Sequence, residues 1–424
     1  MIETIHKCRV CDNKKIIPFF DLGEQPLANS LLSKQFEKEK QYPLSLSWCS
    51  ECNLVQLNHT VNPKVLFSNY VWVTSTSSYA KKYAELFCQN LIDELRISDN
   101  RSYVLEIASN DGTFLKPFIN KGFAVLGVDP ANNIVEIAKK DSIPSLCGFW
   151  NPTLANEIIS DKGYPSIIFA RNVLPHVADL NNFVEAIRIA STKEAILAFE
   201  VHYAGKILNE LHYDSIYHEH LCYFSLKSLE RILNKHDIYI FDLFESPISG
   251  GSIVVLAGTY QREKSKRLTK FEETEIINQI NDYGQWEKFS RSALDHKKKL
   301  TDIFFQEISN GATICGYGAS ARSSTMLNFC KLSSVQLKMI ADQNPMKHNK
   351  YTSGSNILIT TPEIMMQTNP DVIIVLAWNF LQEICNNLID KYNYTKKIII
   401  PFPYPPRIIA LSELVNTNYL IIIK

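Results

Sequence analysis

The chain has 424 residues, and its 44 Lys and Arg balance 44 Asp and Glu. That balance leaves no long-range positive field to gather nucleic acid or an anionic membrane, so neither is expected as a partner. About three domains are expected at this length, because one core rarely grows past roughly 250–300 residues.

The opening segment, Met1-Ile-Glu-Thr-Ile-His-Lys7, lacks the basic-then-apolar order of a secretion signal. No apolar run approaches the ~20 residues of a spanning helix, so a cytoplasmic protein, monomeric or weakly oligomeric, is expected. The first element is Cys8-Arg-Val-Cys11, answered by Cys49-Ser-Glu-Cys52 after 37 intervening residues. Each CxxC turns two thiolates to one side, and two such knuckles complete a tetrahedral zinc site with no open position for chemistry. Pro18, Pro26, Pro43 and Gly23 make the insertion a looped excursion, and residues 1–66 read as a zinc-binding domain in a reducing compartment. The other six cysteines lie among apolar neighbours and read as inert core residues.

Next comes Val65-Leu-Phe-Ser-Asn-Tyr-Val-Trp-Val-Thr-Ser-Thr-Ser-Ser78, aromatic first and then hydroxyl-rich. Alternation puts Tyr70 and Trp72 on one face of a short strand, where they either line a ligand pocket or form plain core. A helix follows from Tyr79 to Leu95. From Ser102 to about Tyr260 strands alternate with helices: Tyr103–Ile107, Ala124–Asp129, Ser166–Arg171 and Ala195–Glu200, then Ile238–Glu245 and Ser252–Gly258 close together. This pattern predicts a doubly wound sheet finished by an antiparallel hairpin, over residues 67–262.

Within it, Val104-Leu-Glu-Ile-Ala-Ser-Asn-Asp-Gly-Thr-Phe-Leu115 reads as strand, tight loop and helix. Gly112 lets a ligand approach the backbone. Asp129, 23 residues beyond Glu106, ends the second strand where an acid can accept hydrogen bonds from both ribose hydroxyls. A phosphate-cradling loop would want Lys or several glycines; Asn110 and Asp111 instead suit a cationic ligand without phosphate. S-adenosylmethionine fits that description, although any doubly wound domain can open with a small-residue turn.

Asn172 and His176 fall at the carboxyl edge of the same sheet, where ligands of such sheets bind. Tyr213-Asp-Ser-Ile-Tyr-His-Glu-His-Leu-Cys-Tyr223 then concentrates Tyr217, His218, Glu219 and His220 beyond the fourth strand. If that segment is extended, His218 and His220 share one face and Tyr217 and Glu219 the other. Metal binding is the rival reading there, but HEH lacks the spacing of helical zinc sites. Residues 263–310 are charged and helical, with Phe289, Ala293, Leu300, Phe304 and Ile308 on one stripe. Residues 311–424 open a second nucleotide-style fold at Gly316 and Gly318. The third glycine of a dinucleotide fingerprint is missing, yet Arg322 at the helix start suits a pyrophosphate. The strand Asp371–Ala377 leads to Trp378 and Asn379, another strand-end polar group, and the domain is expected to end with Lys397–Phe402.

Taken in order, these pieces resemble the sugar C-methyltransferase family, which methylates C3 of nucleotide-linked 4-keto-deoxysugars in antibiotic and surface-polysaccharide pathways. The resemblance runs end to end. It rests on the paired CxxC knuckles, EIxxNDG at Glu106–Gly112, VDP at Val128–Pro130, YHEH at Tyr217–His220, GGS at Gly250–Ser252, GYGAxA at Gly316–Ala321, LAWN at Leu376–Asn379 and IxPFP at Ile399–Pro403. It implies an α/β protein of three domains: a small zinc-binding domain, a Rossmann-like S-adenosylmethionine domain and a C-terminal Rossmann-like domain, with the sugar nucleotide in a cleft between domains. It implies His220 as general base, with Tyr217, Glu219, Asn172 and His176 beside the sugar. The chain departs from the family at Ala108, where Gly is usual, at Trp72, where a tyrosine is common, and at Ser249, where histidine is frequent. The chemistry expected is removal of the acidic C3 proton by His220, with Tyr217, His176 and Asn172 donating to the enolate oxygen or holding hydroxyls. Two rivals from other classes are an NAD-linked sugar-nucleotide oxidoreductase and a zinc-ribbon binding protein without activity.

Overall fold

The structure, a computed structural model, describes residues 2–67, 73–95 and 102–416. The chain packs as two compact units: Met1–Pro18, Leu46–Gly205 and Glu219–Tyr283 form the first, and Phe19–Ser45, Lys206–His218 and Gly284–Lys424 the second. Among the described residues no helix is long and apolar enough to cross a membrane.

The first unit is built on a seven-stranded sheet: β1 (Tyr103–Ile107), β2 (Ala124–Asp129), β3 (Ser145–Cys147), β4 (Ile167–Arg171), β5 (Ile196–His202), β6 (Tyr239–Ser246) and β7 (Ser252–Gly258). Their order across the sheet is β6-β7-β5-β4-β1-β2-β3. β7 runs antiparallel between β5 and β6, as the closely spaced last two strands predict. β3 escaped sequence reading because three residues are too few to show a period. The parallel strands β1, β4 and β5 are buried almost throughout, which is why they read as continuous apolar runs. On one face, the helix Ser78–Leu95 brings Tyr83, Phe87 and Leu91 against Phe114, Phe118 and Phe169. Full burial of each such ring is worth about 1.5–3 kcal/mol.

The second unit holds a six-stranded sheet: β8 (Ile314–Tyr317), β9 (Ile340–Ala341), β10 (Ile359–Thr360), β11 (Val372–Val375), β12 (Lys397–Ile400) and β13 (Arg407–Ala410). The order is β10-β9-β8-β11-β12-β13, parallel except for β13. The sheet thus does not end at residues 397–402, as the sequence reading has it; an antiparallel strand follows the Pro-rich turn. Segment 19–45 belongs here through paired backbone and side chains: Leu32 bridges Tyr351, and the Gly354 amide donates to Glu39 at 2.6 Å. Residues 263–310 hold two helices, Lys266–Ile277 and Tyr283–Ser309. The buried stripe of the longer one runs Trp286, Phe289, Ala293, His296, Leu300, Phe304 and Glu307. Ile308, placed on that stripe by sequence, is exposed, while Glu307 is drawn in by Lys397 at 2.9 Å.

Gly318 follows β8 with φ of +99°, and a Cβ there would lie 2.4 Å from that of Ala377 and 2.9 Å from its amide nitrogen. Gly318→Ala should therefore destabilise the protein by roughly 2–5 kcal/mol, the sum of left-handed strain and overpacking. Urea unfolding with an unchanged midpoint would contradict this.

Candidate active site

Cys8, Cys11, Cys49 and Cys52 present four sulfurs within 4.8 Å of one another. The Cys8–Cys52 and Cys11–Cys49 separations are 3.4 and 3.6 Å. Zinc–sulfur bonds of about 2.3 Å in a tetrahedron demand about 3.8 Å between sulfurs, so the thiols fit the ion closely. The two knuckles repeat one backbone device. Asp12 and Asn53, each directly after the second cysteine, both have φ of 60° and return an amide to the first cysteine's carbonyl at 3.1 and 3.0 Å. Asp and Asn tolerate that left-handed turn, and their placement after each CxxC is a sequence signal additional to the cysteines.

At the carboxyl end of β1 the chain turns through Ala108, Asn110 and Gly112, with φ of 57°, 50° and 73°. A Cβ on Gly112 would meet Ile143 at 2.6 Å, so the loop accepts only glycine there. Ala108 takes a left-handed turn that costs a non-glycine residue roughly 1–2 kcal/mol. Asp129 clamps the loop: one carboxylate oxygen accepts from the Asn110 amide and the other from the Ala131 amide, both at 2.9 Å. Each oxygen keeps a further lone pair. Pro130 lies between these two contacts.

The side chains of Asn110 and Asp111 face a different direction from the sequence reading, which aims them at a ligand. Asn110 Oδ1 accepts from the amide and hydroxyl of Thr74 at 2.9 and 3.0 Å. Asp111 accepts from the Ser75 amide at 2.9 Å and from the Thr113 hydroxyl at 2.7 Å. The two residues therefore fasten the hydroxyl-rich turn Thr74–Thr76 onto the loop. Tyr70 and Trp72, just before that turn, lie outside the described residues.

Glu106 is buried beneath the loop with Oε2 lacking a hydrogen-bond partner. Burial pushes its pKa well up, Arg171 opposes this, and Asp111, Asp129 and Glu200 reinforce it. Burial likewise raises Asp129. Arg171 is itself paired with Glu200 at 2.6 Å and lies over the Phe114 ring. Carboxylates outnumber cations around the loop, which fits a cationic cofactor and opposes a phosphate.

The carboxyl edge of β4 carries the histidines. Asn172, at φ of 51°, donates its amide to the Glu200 carbonyl at 2.7 Å and directs the chain into the turn Leu174–His176. His176 Nδ1 donates to the Glu219 carbonyl at 2.8 Å. Burial pushes the His176 pKa down to about 4, against the Glu219 and Asn172 carbonyls, which favour the protonated ring. The His176 and His220 rings meet edge to face at 4.8 Å. Residues 217–220 form a turn rather than a strand, so the expected alternation of faces fails. The His218 ring instead meets the Tyr42 carbonyl at 3.3 Å and is buried, whereas Tyr217 and His220 are half-buried. The Glu219 side chain is buried.

Arg322 requires a correction. Its guanidinium makes a two-pronged contact with Asp214 at 3.0 and 2.9 Å and lies 4.6 Å from the Trp378 ring centre, whose Nε1 donates to the same carboxylate at 2.8 Å. Its charge is neutralised within the fold and holds the turn Tyr213–Ser215 in place, so it offers no free cation to a pyrophosphate. Asn379 is exposed at the end of β11.

Three family models match the chain in succession: “Putative zinc binding domain” at residues 8–67, “Methyltransferase domain” at 79–241 and “C-methyltransferase C-terminal domain” at 247–403. The C-methyltransferase NovU of Streptomyces niveus is 27% identical over 98% of this chain and 99% of its own. The ubiquinone biosynthesis O-methyltransferase of Bartonella quintana is 34% identical over 84 residues, only 20% of this chain and 34% of that one. The solved magnesium protoporphyrin IX methyltransferase of Synechocystis PCC 6803, with bound SAM, matches at 13% identity and a TM-score of 0.31, covering 41% of this chain and 78% of that one.

The clamped loop and the run of family matches define an S-adenosylmethionine-dependent methyltransferase. Along nearly its whole length the chain is similar to a C-methyltransferase, and its N-terminal segment is similar to a zinc-binding domain. The oxidoreductase reading gives way to this class.

Zinc should copurify at about one equivalent, and Cys49→Ser should strip it; metal analysis finding none in folded, reduced protein would overturn the assignment. Asp129→Ala should weaken S-adenosylmethionine binding by roughly 1–3 kcal/mol through lost charge-assisted hydrogen bonds and a loosened loop. Calorimetry that finds the affinity unchanged would place the cofactor elsewhere.

Proposed function

We propose that the enzyme methylates an enolisable carbon, C3, of a nucleotide-linked 4-keto-deoxysugar, with His220 as general base. The observation that carries this reading is the meeting of His176 and His220 at 4.8 Å, at the carboxyl edge of β4, the strand next to β1 and its cofactor loop. In this reading residues 1–66 serve as the zinc-binding domain, 67–262 as the methyl-transfer domain and 311–424 as the C-terminal domain, with 263–310 connecting them. Asn172 flanks the sugar, and Tyr70, Trp72 and Asn379 are the further candidate substrate-binding residues of the sequence reading. In this reading the pathway is deoxysugar, surface-polysaccharide or natural-product synthesis.

Bound S-adenosylmethionine supplies a methyl group made electrophilic by the positive sulfur. His220 takes the C3 proton, and the C–H electron pair passes into an enolate. Tyr217, whose unperturbed phenol stays protonated near pH 7, is suited to donate to the enolate oxygen. The same carbon then forms a C–C bond to the methyl as the methyl–sulfur pair remains on sulfur, and His220 returns its proton to water. Glu106 and Asp129 hold the cationic cofactor's end of the site.

His220→Asn should lower turnover by about two to four decades, the usual scale for a lost base, while both ligands still bind. In deuterated water, with S-adenosylhomocysteine replacing the methyl donor, wild-type enzyme should exchange C3 of the 4-keto sugar nucleotide and the variant should not. Exchange that survives His220→Asn but is lost in Tyr217→Phe would make Tyr217 the base.

A further inference from the structure

Within the first unit the main chain is held on both sides of His220. The Glu219 carbonyl accepts from His176 Nδ1 at 2.8 Å, and the Leu221 amide donates to the Pro175 carbonyl at 2.6 Å. A third hold comes from the zinc-binding segment. Cys222 and Tyr223 pair antiparallel with Gln56 and Val55, and the Leu221 carbonyl accepts from the Leu57 amide at 2.9 Å. On its other side the strand Val55–Leu57 pairs with Leu46–Trp48, and the second knuckle, Cys49–Cys52, lies in the turn that joins the two. The first knuckle reaches the same strand through two buried side chains. Gln56 accepts from the Arg9 amide at 2.8 Å and donates to the Lys7 carbonyl at 3.0 Å, so both ends of its side-chain amide engage the main chain beside Cys8. The Arg9 guanidinium in turn donates to the Leu57 and His59 carbonyls at 3.2 and 3.4 Å and to the Thr60 hydroxyl at 2.8 Å. In a regular antiparallel pair Leu221 would return its amide to the Leu57 carbonyl; here that carbonyl accepts from Arg9 and that amide goes to Pro175.

Resting on the role of His220 as base, we propose that Gln56 is a positioning residue for it: its side-chain amide ties the first CxxC knuckle to the strand that holds Leu221 and Cys222, so the zinc-binding segment sets where the His220 ring stands. A ring carried on a turn keeps its aim only while the chain beside it is fixed, and a displacement of about 1 Å can cost about a hundredfold in rate. The cofactor loop does not share this tie. It has its own clamp in Asp129, so loosening the strand Val55–Leu57 should separate the aim of the base from the binding of the cofactor.

The test uses full-length, zinc-loaded wild type and Gln56→Met, which keeps the length of the side chain and removes both of its hydrogen bonds. The variant should retain its zinc and bind S-adenosylmethionine within about twofold of wild type. In substrate-free protein, hydrogen exchange at the Leu57 amide should speed up about tenfold or more, while the amides of β1 and β4 keep their protection. With the 4-keto sugar nucleotide in deuterated water, kcat for C3 exchange should fall about tenfold to a hundredfold and KM should change little. If Gln56→Met does not fold, Thr60→Val, which removes only the shortest Arg9 contact, should give the same pattern at about threefold. A Leu57 amide that keeps its protection, a loss of protection spread evenly over β1 and β4, or an unchanged kcat in a variant that has opened at Leu57 would overturn the proposal. Undiminished C3 exchange by His220→Asn would instead remove the base assignment itself, a failure that the substrate-free amide measurement keeps separate.

Discussion

One carboxylate, Asp129, holds the ends of two neighbouring strands in a single hydrogen-bonded corner. By accepting from the amides of Asn110 and Ala131 it fixes the loop after β1 against the start of the helix Asn132–Lys140. The loop then fastens the Thr74–Thr76 turn through Asn110 and Asp111, so a segment far away in sequence is attached to the same corner. Hydrogen bonds to an ionised acceptor are about twice as strong as neutral ones, which explains why so much backbone can depend on one residue. The cost is a buried acid with a raised pKa and a second, unpartnered acid, Glu106, below it. Those costs fall where a cationic cofactor offsets them.

The second sheet repeats the device with one difference. Asp342, after β9, accepts from the Ala319 and Asn344 amides at 2.8 Å each, as Asp129 does from its own loop. Lys347 completes that corner at 3.1 Å from the carboxylate and 2.8 Å from the Ala319 carbonyl. The helix that follows β8 is closed by Ser320 and Ser323, each side chain bonded to the other's amide. The charge that β2 leaves for a ligand is met within the chain at β9. Two similar folds thus differ in what they leave unsatisfied.

Much of this was legible in the sequence because it depends on local period and spacing. The strands around Glu106 and Asp129, the closing hairpin of the first sheet and the paired knuckles follow from apolar runs, strand-end acids and identical CxxC spacing. Side-chain partners brought together by the fold were not legible. Nothing near Arg322 in sequence announces Asp214, and nothing near Asn110 announces Thr74. Glu307 displaced Ile308 from the buried stripe because Lys397 arrives from a distant strand to satisfy it. The segment Tyr217–His220 looked extended because polar and aromatic residues alternate there, yet its backbone follows the contacts of Glu219 and Leu221 with a turn more than forty residues earlier.

The central claim is methyl transfer to an enolisable sugar carbon. Its most direct test is to incubate the zinc-loaded enzyme with S-adenosylmethionine carbon-13 labelled in the methyl group and a panel of nucleotide-linked 4-keto-deoxysugars, and to locate the label by NMR. The account predicts a labelled methyl bonded to the ring carbon next to the ketone. A label on oxygen or nitrogen, or no transfer to any member of the panel by enzyme that binds the cofactor, would contradict it.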